Sequence, residues 1–154
     1  MATLKHIIFQ DTREQRPLVF FHFDFKTVIC TIKAGDYHVQ FSDYSFSNTV
    51  FERKSIPDLF GTLTSGYERF RREILKIKAN KLKLIIVIEG TLKEVFEGCR
   101  FSKVQGAAIV KTLFSLWIRH GIVPVFTNDR DEASEFIIQY YLAEWRKRQE
   151  KKNG

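Results

Sequence analysis

Apolar and polar positions change rhythm along this chain, and the changes mark its elements. A short apolar run at 6–10 (HIIFQ) reads as a strand ending at Asp11. Residues 19–25 (VFFHFDF) alternate imperfectly. Their rings lack interleaved Arg or Lys, so they read as core and edge packing rather than a base-stacking platform. The β-branched segment 27–33 (TVICTIK) predicts a strand, and 36–41 and 49–54 predict two more, joined by Ser, Asn and Asp turn chemistry. Ser55 then predicts a helix N-cap, with Pro57 in the first turn and Asp58 three residues after the serine. Residues 66–78 carry helical spacing, with Phe70, Ile74 and Ile77 on one face and the arginines largely on others.

The near-continuous apolar run 82–88 (LKLIIVI) predicts a central strand covered on both faces. Ser102 predicts the N-cap of a helix running to Arg119, whose apolar positions are Val104, Ala108, Leu113, Leu116 and Trp117. Gly121 ends it, 122–126 form another buried strand, and Asn128 or Asp129 caps a long last helix. Strands separated by helices in the second half imply a parallel part of the sheet, whereas the first half reads as hairpin-like. The predicted fold is α/β: a restriction-endonuclease-like mixed β-sheet flanked by helices on both faces.

At 154 residues and 44% hydrophobic content the chain is one domain with a real core. The expected division is a domain over 1–145 and a basic tail over 146–154 that the fold can spare. The net charge of +7, with a pI near 9.5, favours a polyanionic partner. Arg69, Arg71, Arg72 and Lys76 crowd one segment, together with Lys78, Lys81 and Lys83, opposed there only by Glu73. That segment is either a DNA-contacting face or a solvated one. Cys30 and Cys99 have no disulfide or CxxC spacing. No apolar stretch approaches the roughly 20 residues of a membrane span and no signal peptide opens the chain, so a cytoplasmic protein without membrane contact is expected.

The segment 35–58, GDYHVQFSDYSFSNTVFERKSIPD, changes the picture. Asp36 begins one strand; Glu52 and Lys54, two apart on the next, point to the same face. Two carboxylates and an ammonium on one sheet edge are the inventory for metal-assisted phosphodiester cleavage: hard oxygen ligands for Mg²⁺ or Mn²⁺ and a cation near developing phosphate charge. Singly, each has a plainer reading. Asp36 can be a turn residue after Gly35, Asp58 a charge at a helix N-terminus, and Glu52 with Lys54 a solvated strand end.

GDY followed by ERKSIPDL, preceded by DTREQRPL at 11–18, resembles the nuclease domain of the XPF family of structure-specific DNA endonucleases. That family's hallmark is GD, a variable gap and ERKxxxD. The resemblance continues through LTSGYERFRREI (63–74), IIVIEG (85–90) and GIVPVFTNDRDEA (121–133). It implies that Asp36 and Glu52, with Asp11, are metal ligands and that Lys54 orients or activates the attacking water. Glu14 and Asp58 would be further acidic members of the cluster, and Arg53 would offer its backbone carbonyl to the metal while its side chain supports the site. Arg13, Arg16, Arg69, Arg71, Arg72 and Lys76 are the candidate DNA contacts. The chain departs from the family at Tyr67, where GRERF members have arginine. It also ends before a tandem helix-hairpin-helix module would fit, resembling the stand-alone form.

The implied activity is a Mg²⁺- or Mn²⁺-dependent endonuclease on branched or flapped DNA. The alternatives are a nuclease-inactive DNA-binding partner, or a resolvase-like PD-(D/E)xK nuclease outside the family. A homodimer is expected, because the last helix carries Phe136, Ile137, Tyr140, Tyr141 and Trp145, more large apolar groups than one face normally hides. The competing reading is that they only cover the sheet. His38, two residues after Asp36, is the one histidine placed as an accessory group.

Overall fold

A computed structural model describes residues 3–154. The elements run β1(His6–Asp11), β2(Phe25–Cys30), β3(Tyr37–Gln40), β4(Phe46–Ser55), α1(Ile56–Leu63), α2(Tyr67–Ala79), β5(Lys83–Glu89), α3(Leu92–Glu97), α4(Gly106–His120), β6(Val123–Thr127) and α5(Arg130–Lys152). All strands join one mixed sheet in the order β2-β1-β3-β4-β5-β6. The β4, β5 and β6 strands pair in parallel, as the alternation of strands and helices predicts. β3 and β4 form the one hairpin of the first half. The hairpin-like expectation does not extend to β1 and β2, which pair in parallel from His6 opposite Phe25 to Asp11 opposite Cys30. Residues 12–24 are long enough for the crossover a parallel pair needs.

Side-chain alternation sends the apolar groups of β4 and β5 to two cores. On one face Val50, Leu84, Ile86 and Ile88 meet α1, α2 and α4; on the other Phe51, Ile85 and Val87 meet α5. The β5 run is buried from Leu84 to Ile88, so its apolar continuity reflects cover on both sides.

Several boundaries differ from the sequence reading. Strand β2 starts at Phe25, whose ring is buried, and residues 31–33 leave the sheet. Helix α4 is capped by Gln105, not Ser102; the Ser102 hydroxyl instead accepts from the Val104 amide (3.2 Å) in a local turn, and Val104 lies outside the helix. The entry point is set by Gly106, where a Cβ would stand 2.0 Å from the Val95 carbonyl. Helix α3 has a Thr91–Glu94 capping box but is too short to show a period.

The tail is ordered into α5. Arg148 lies 4.9 Å over the Phe41 ring and donates to the Phe46 carbonyl (3.0 Å), while Lys152 pairs with Asp43 at 2.7 Å. Along the same helix Ile137 and Tyr141 are fully buried, and Phe136, Tyr140 and Trp145 pack partly buried on that core. Most of its apolar surface therefore covers the sheet. Among the described residues no helix is long and apolar enough to cross a membrane.

Candidate active site

Gly35 has φ of 74°, and a Cβ there would press on the Phe51 carbonyl at 3.0 Å. Only glycine turns the chain this tightly against β4. The turn delivers Asp36, whose amide donates to the Phe51 carbonyl (2.8 Å) and whose carbonyl accepts from the Asp11 amide (2.9 Å). Asp11, Asp36 and the ERK segment thereby meet at one end of the sheet. On β4, Glu52 and Lys54 face α2, and Arg53 turns to the opposite side.

The cleft side is an uneasy cluster. The Arg53 amide donates to Asp36 Oδ2 (2.8 Å), yet burial, then Glu52 and Glu14, push the Asp36 carboxyl up to about 8. Burial also raises Glu52, against the pull of Lys54, whose Nζ sits 3.4 Å from Glu52 Oε1. Behind the strand, the Arg53 guanidinium donates to Glu14 at 2.7 and 3.1 Å and to Glu89 at 3.2 Å. Tyr37 adds a bond to Glu14 (3.3 Å). Arg130, from the first turn of α5, reaches Glu89 (2.9 Å) and the Arg16 and Pro17 carbonyls (3.0 and 2.8 Å). This chain of bonds ties the DTRE loop to β4, β5 and α5.

Two adjoining grooves open on the cleft side, of about 260 and 700 Å³, sharing Glu52, Lys54, Arg69 and Glu73. Arg13, Lys33 and Lys76 wall the smaller one beside Asp11 and Asp36. Asp58 is an exposed wall of the larger. Of the candidate DNA contacts, Arg13, Arg69 and Lys76 line this cleft. Arg71 and Arg72 are exposed elsewhere on α2, with Arg71 facing Glu68 at 3.8 Å, and Arg16 is an exposed loop residue outside both grooves. His38 is packed against Phe46 and bonded to the Ser47 carbonyl (2.7 Å), and burial lowers its pKa. A third groove of about 610 Å³, between α2, β6 and α5, is mostly apolar and has no carboxylate in its walls.

Among the described residues no three His, Cys, Asp or Glu side chains form a closed metal cage. Mg²⁺ does not need one, since it binds through one or two carboxylates and keeps several waters. The donor set suits that mode. Asp36 Oδ1 has no hydrogen-bond donor among the described residues, and Glu52 has only Lys54. Asp11 is different: its two oxygens already accept from Arg13 Nε (2.7 Å) and the Ile32 amide (3.2 Å). Burial would raise its pKa, but Arg13 and the amide outweigh burial and hold it below the usual range.

The family profile of the ERCC4 domain matches residues 10–140. The chain belongs to the ERCC4 domain family. Solved structures with the same fold include XPF from Aeropyrum pernix, with TM-score 0.64 and 20% identity over 85% of this chain and 57% of that one. XPF from Aeropyrum pernix in complex with DNA gives 0.65 and 18% over 88% of this chain and 62% of that one. The present chain thus spans about three-fifths of the length of those proteins. Among curated proteins no match is found.

In this ERCC4 domain the structure brings together Asp36, Glu52, Lys54, Asp11 and Arg13, with Arg69 and Lys76 on the facing helix. Glu14 and Arg53 stand behind the cleft. Sequence reasoning passed over Glu73, one turn beyond Arg69 on the cleft face of α2, and Lys33 before Gly35. It also left out Glu89, which the structure joins to Arg53 and Arg130. The helical offset of four between Arg69 and Glu73 was a usable signal; the Glu89–Arg130 pair, joined only by the fold, had none.

Proposed function

We propose that this ERCC4 domain is a Mg²⁺- or Mn²⁺-dependent endodeoxyribonuclease that hydrolyses phosphodiester bonds in branched or flapped DNA. The observation that carries this reading is the convergence of a half-buried Asp36 and a buried Glu52, both incompletely bonded, beside Lys54. Asp36 and Glu52 would hold the cation, which supplies charge to polarise the scissile phosphate and the attacking water. Lys54 reaches the same point from β4, where its ammonium orients the nucleophile and offsets charge as the P–O bond breaks. Arg13, Lys33, Arg69 and Lys76 ring the cleft and suit the phosphates on either side. A nuclease-inactive partner has no use for a desolvated acidic pair that destabilises its own fold. Incubating the protein with flaps, forks, four-way junctions and plain duplex, with and without Mg²⁺ or Mn²⁺, tests the reading. Metal-dependent nicking of the branched forms supports it, and intact DNA throughout refutes it.

The protein acts as a homodimer in this reading. The apolar groove at β6, walled by Val123, Val125, Phe136 and Tyr140, is the surface proposed for a second copy. Light scattering should give twice the 18.1 kDa chain mass at tens of micromolar, and the single mass would remove the dimer.

A further inference from the structure

The larger groove has a wall that the proposed chemistry leaves unused. On α1, Leu59, Phe60 and Leu63 point into the core, and the opposite face presents Asp58, Gly61 and Thr62 to the groove. A glycine inside a helix is destabilising relative to alanine, because it surrenders more backbone freedom on folding. Packing does not ask for it here. No atom lies within 4 Å of where a Gly61 Cβ would stand, whereas a Cβ at Gly66 would meet backbone at 3.1 Å. The backbone does not ask for it either, since Gly61 is helical and lies outside the positive-φ glycines. What remains is clearance for something that enters the groove.

The charges of the two grooves separate their occupants. The smaller adds the cations Arg13, Lys33 and Lys76 around Asp11 and Asp36, and those three cations suit phosphates. The larger adds no cation; it adds Asp58 and the neutral polar groups of Gln15, Thr62 and Ser65. Hydroxyls, an amide and a carboxylate match the donors and acceptors on a nucleobase edge and sugar. Its volume of about 700 Å³ falls within the rough 300–1,000 Å³ range of small-ligand pockets. Resting on the nuclease reading above, we infer that this groove receives the base and sugar of one unpaired nucleotide beside the scissile phosphate, and that Gly61 makes the room for it. Such a site favours a junction over plain duplex, because an unpaired base costs least to extrude.

Gly61→Ala and Gly61→Leu test it, with nicking kinetics in Mn²⁺ on a flapped oligonucleotide whose nucleotide beside the cut is intact or abasic. Both residues form helix better than glycine, so both variants should melt at or above the wild type, by on the order of 2–4 °C for alanine. On the intact flap kcat/KM should fall several-fold in the alanine variant and about tenfold or more in the leucine variant. On the abasic flap all three proteins should converge. A leucine variant that is as stable as the wild type and nicks the intact flap at its rate overturns the assignment. Should leucine disturb the fold, an alanine variant with raised Tm and unchanged rate on both flaps does the same. A wild type that nicks nothing removes the nuclease reading itself, and this site with it.

Discussion

Replacing Asp36 by asparagine should stabilise the metal-free protein while abolishing the proposed activity. The side chain keeps its shape, and its oxygen can still accept from the Arg53 amide, 2.8 Å away. What disappears is a carboxyl that can ionise only at a cost to the fold. Burial and the neighbouring Glu52 and Glu14 move the carboxyl from 3.8 to about 8. At about 1.4 kcal/mol per pH unit, that rise sets a ceiling of about 6 kcal/mol on the cost of folding with this group ionised. Solvent at the cleft mouth and loss of a charge-assisted bond to the amide reduce the gain, so about 1–3 kcal/mol is the working figure.

The direction with pH follows from the raised folded value. Between pH ~4 and ~8 the folded protein holds a proton that the unfolded chain releases, so wild-type stability falls as pH rises through that window. The asparagine variant lacks this loss. In chelator its Tm should match the wild type near pH 4 and exceed it by ~3–9 °C at pH 8. Added Mn²⁺ should raise the wild-type Tm by neutralising the carboxylates and leave the variant almost unmoved. Calorimetry in chelator and in Mn²⁺, at both pH values, measures all of this without any DNA. A variant that melts below the wild type at pH 8 in chelator would refute the claim that ionising Asp36 costs the fold stability.

Lys54→Ala should leave metal-induced stabilisation in place and reduce nicking of a flapped substrate by on the order of a hundredfold or more, because it removes only the ammonium beside Glu52; unchanged single-turnover rates would make Lys54 scaffold. Neutralising Arg13, Arg69 and Lys76 together should weaken binding to all DNA forms and flatten its salt dependence by about 3 in slope, measured by fluorescence anisotropy across a salt series. The pair Arg71→Gln and Arg72→Gln, exposed outside the cleft, should change that slope by less, and equal effects would mean that binding follows net charge rather than the groove.

How much of this was legible beforehand depended on the range over which each signal acts. Strand alternation alone places Glu52 and Lys54 together and Arg53 apart, and β4 does this. The Gly-Asp turn is equally local, as are the Ser55 and Asp129 caps, whose oxygens accept from the Asp58 and Glu132 amides. The α2 basic segment was legible as a cluster but not by residue. Which of its cations enter the cleft depends on the rotation fixed by Phe70, Ile74 and Ile77 in the core, and that rotation selects Arg69 and Lys76. The Ser102 expectation failed through competition: a serine that caps a helix can equally close a turn, and the close contact at Gly106 decided where α4 could begin. The parallel pairing of β1 with β2 had no local signature, because strands look alike whichever way they pair.

The two sides of β4 carry opposite electrostatic problems, and one backbone bond couples them. On the cleft side, Asp36 and Glu52 are carboxylates short of partners; behind it, Arg53 is a guanidinium only 5% exposed, held by Glu14 and Glu89. A buried cation is tolerated when its donors are met by well-placed carboxylates, and removing either one leaves uncompensated charge. Arg130 then shares Glu89 and pins the loop that carries Glu14. The rear network thereby fixes the Arg53 backbone, and the Arg53 amide is the donor that holds Asp36 Oδ2. Rigidity at the cleft is thus supplied from the opposite face of the sheet. The front can remain an unsatisfied acidic pair, open to the proposed cation, because the residues that orient it are satisfied behind it.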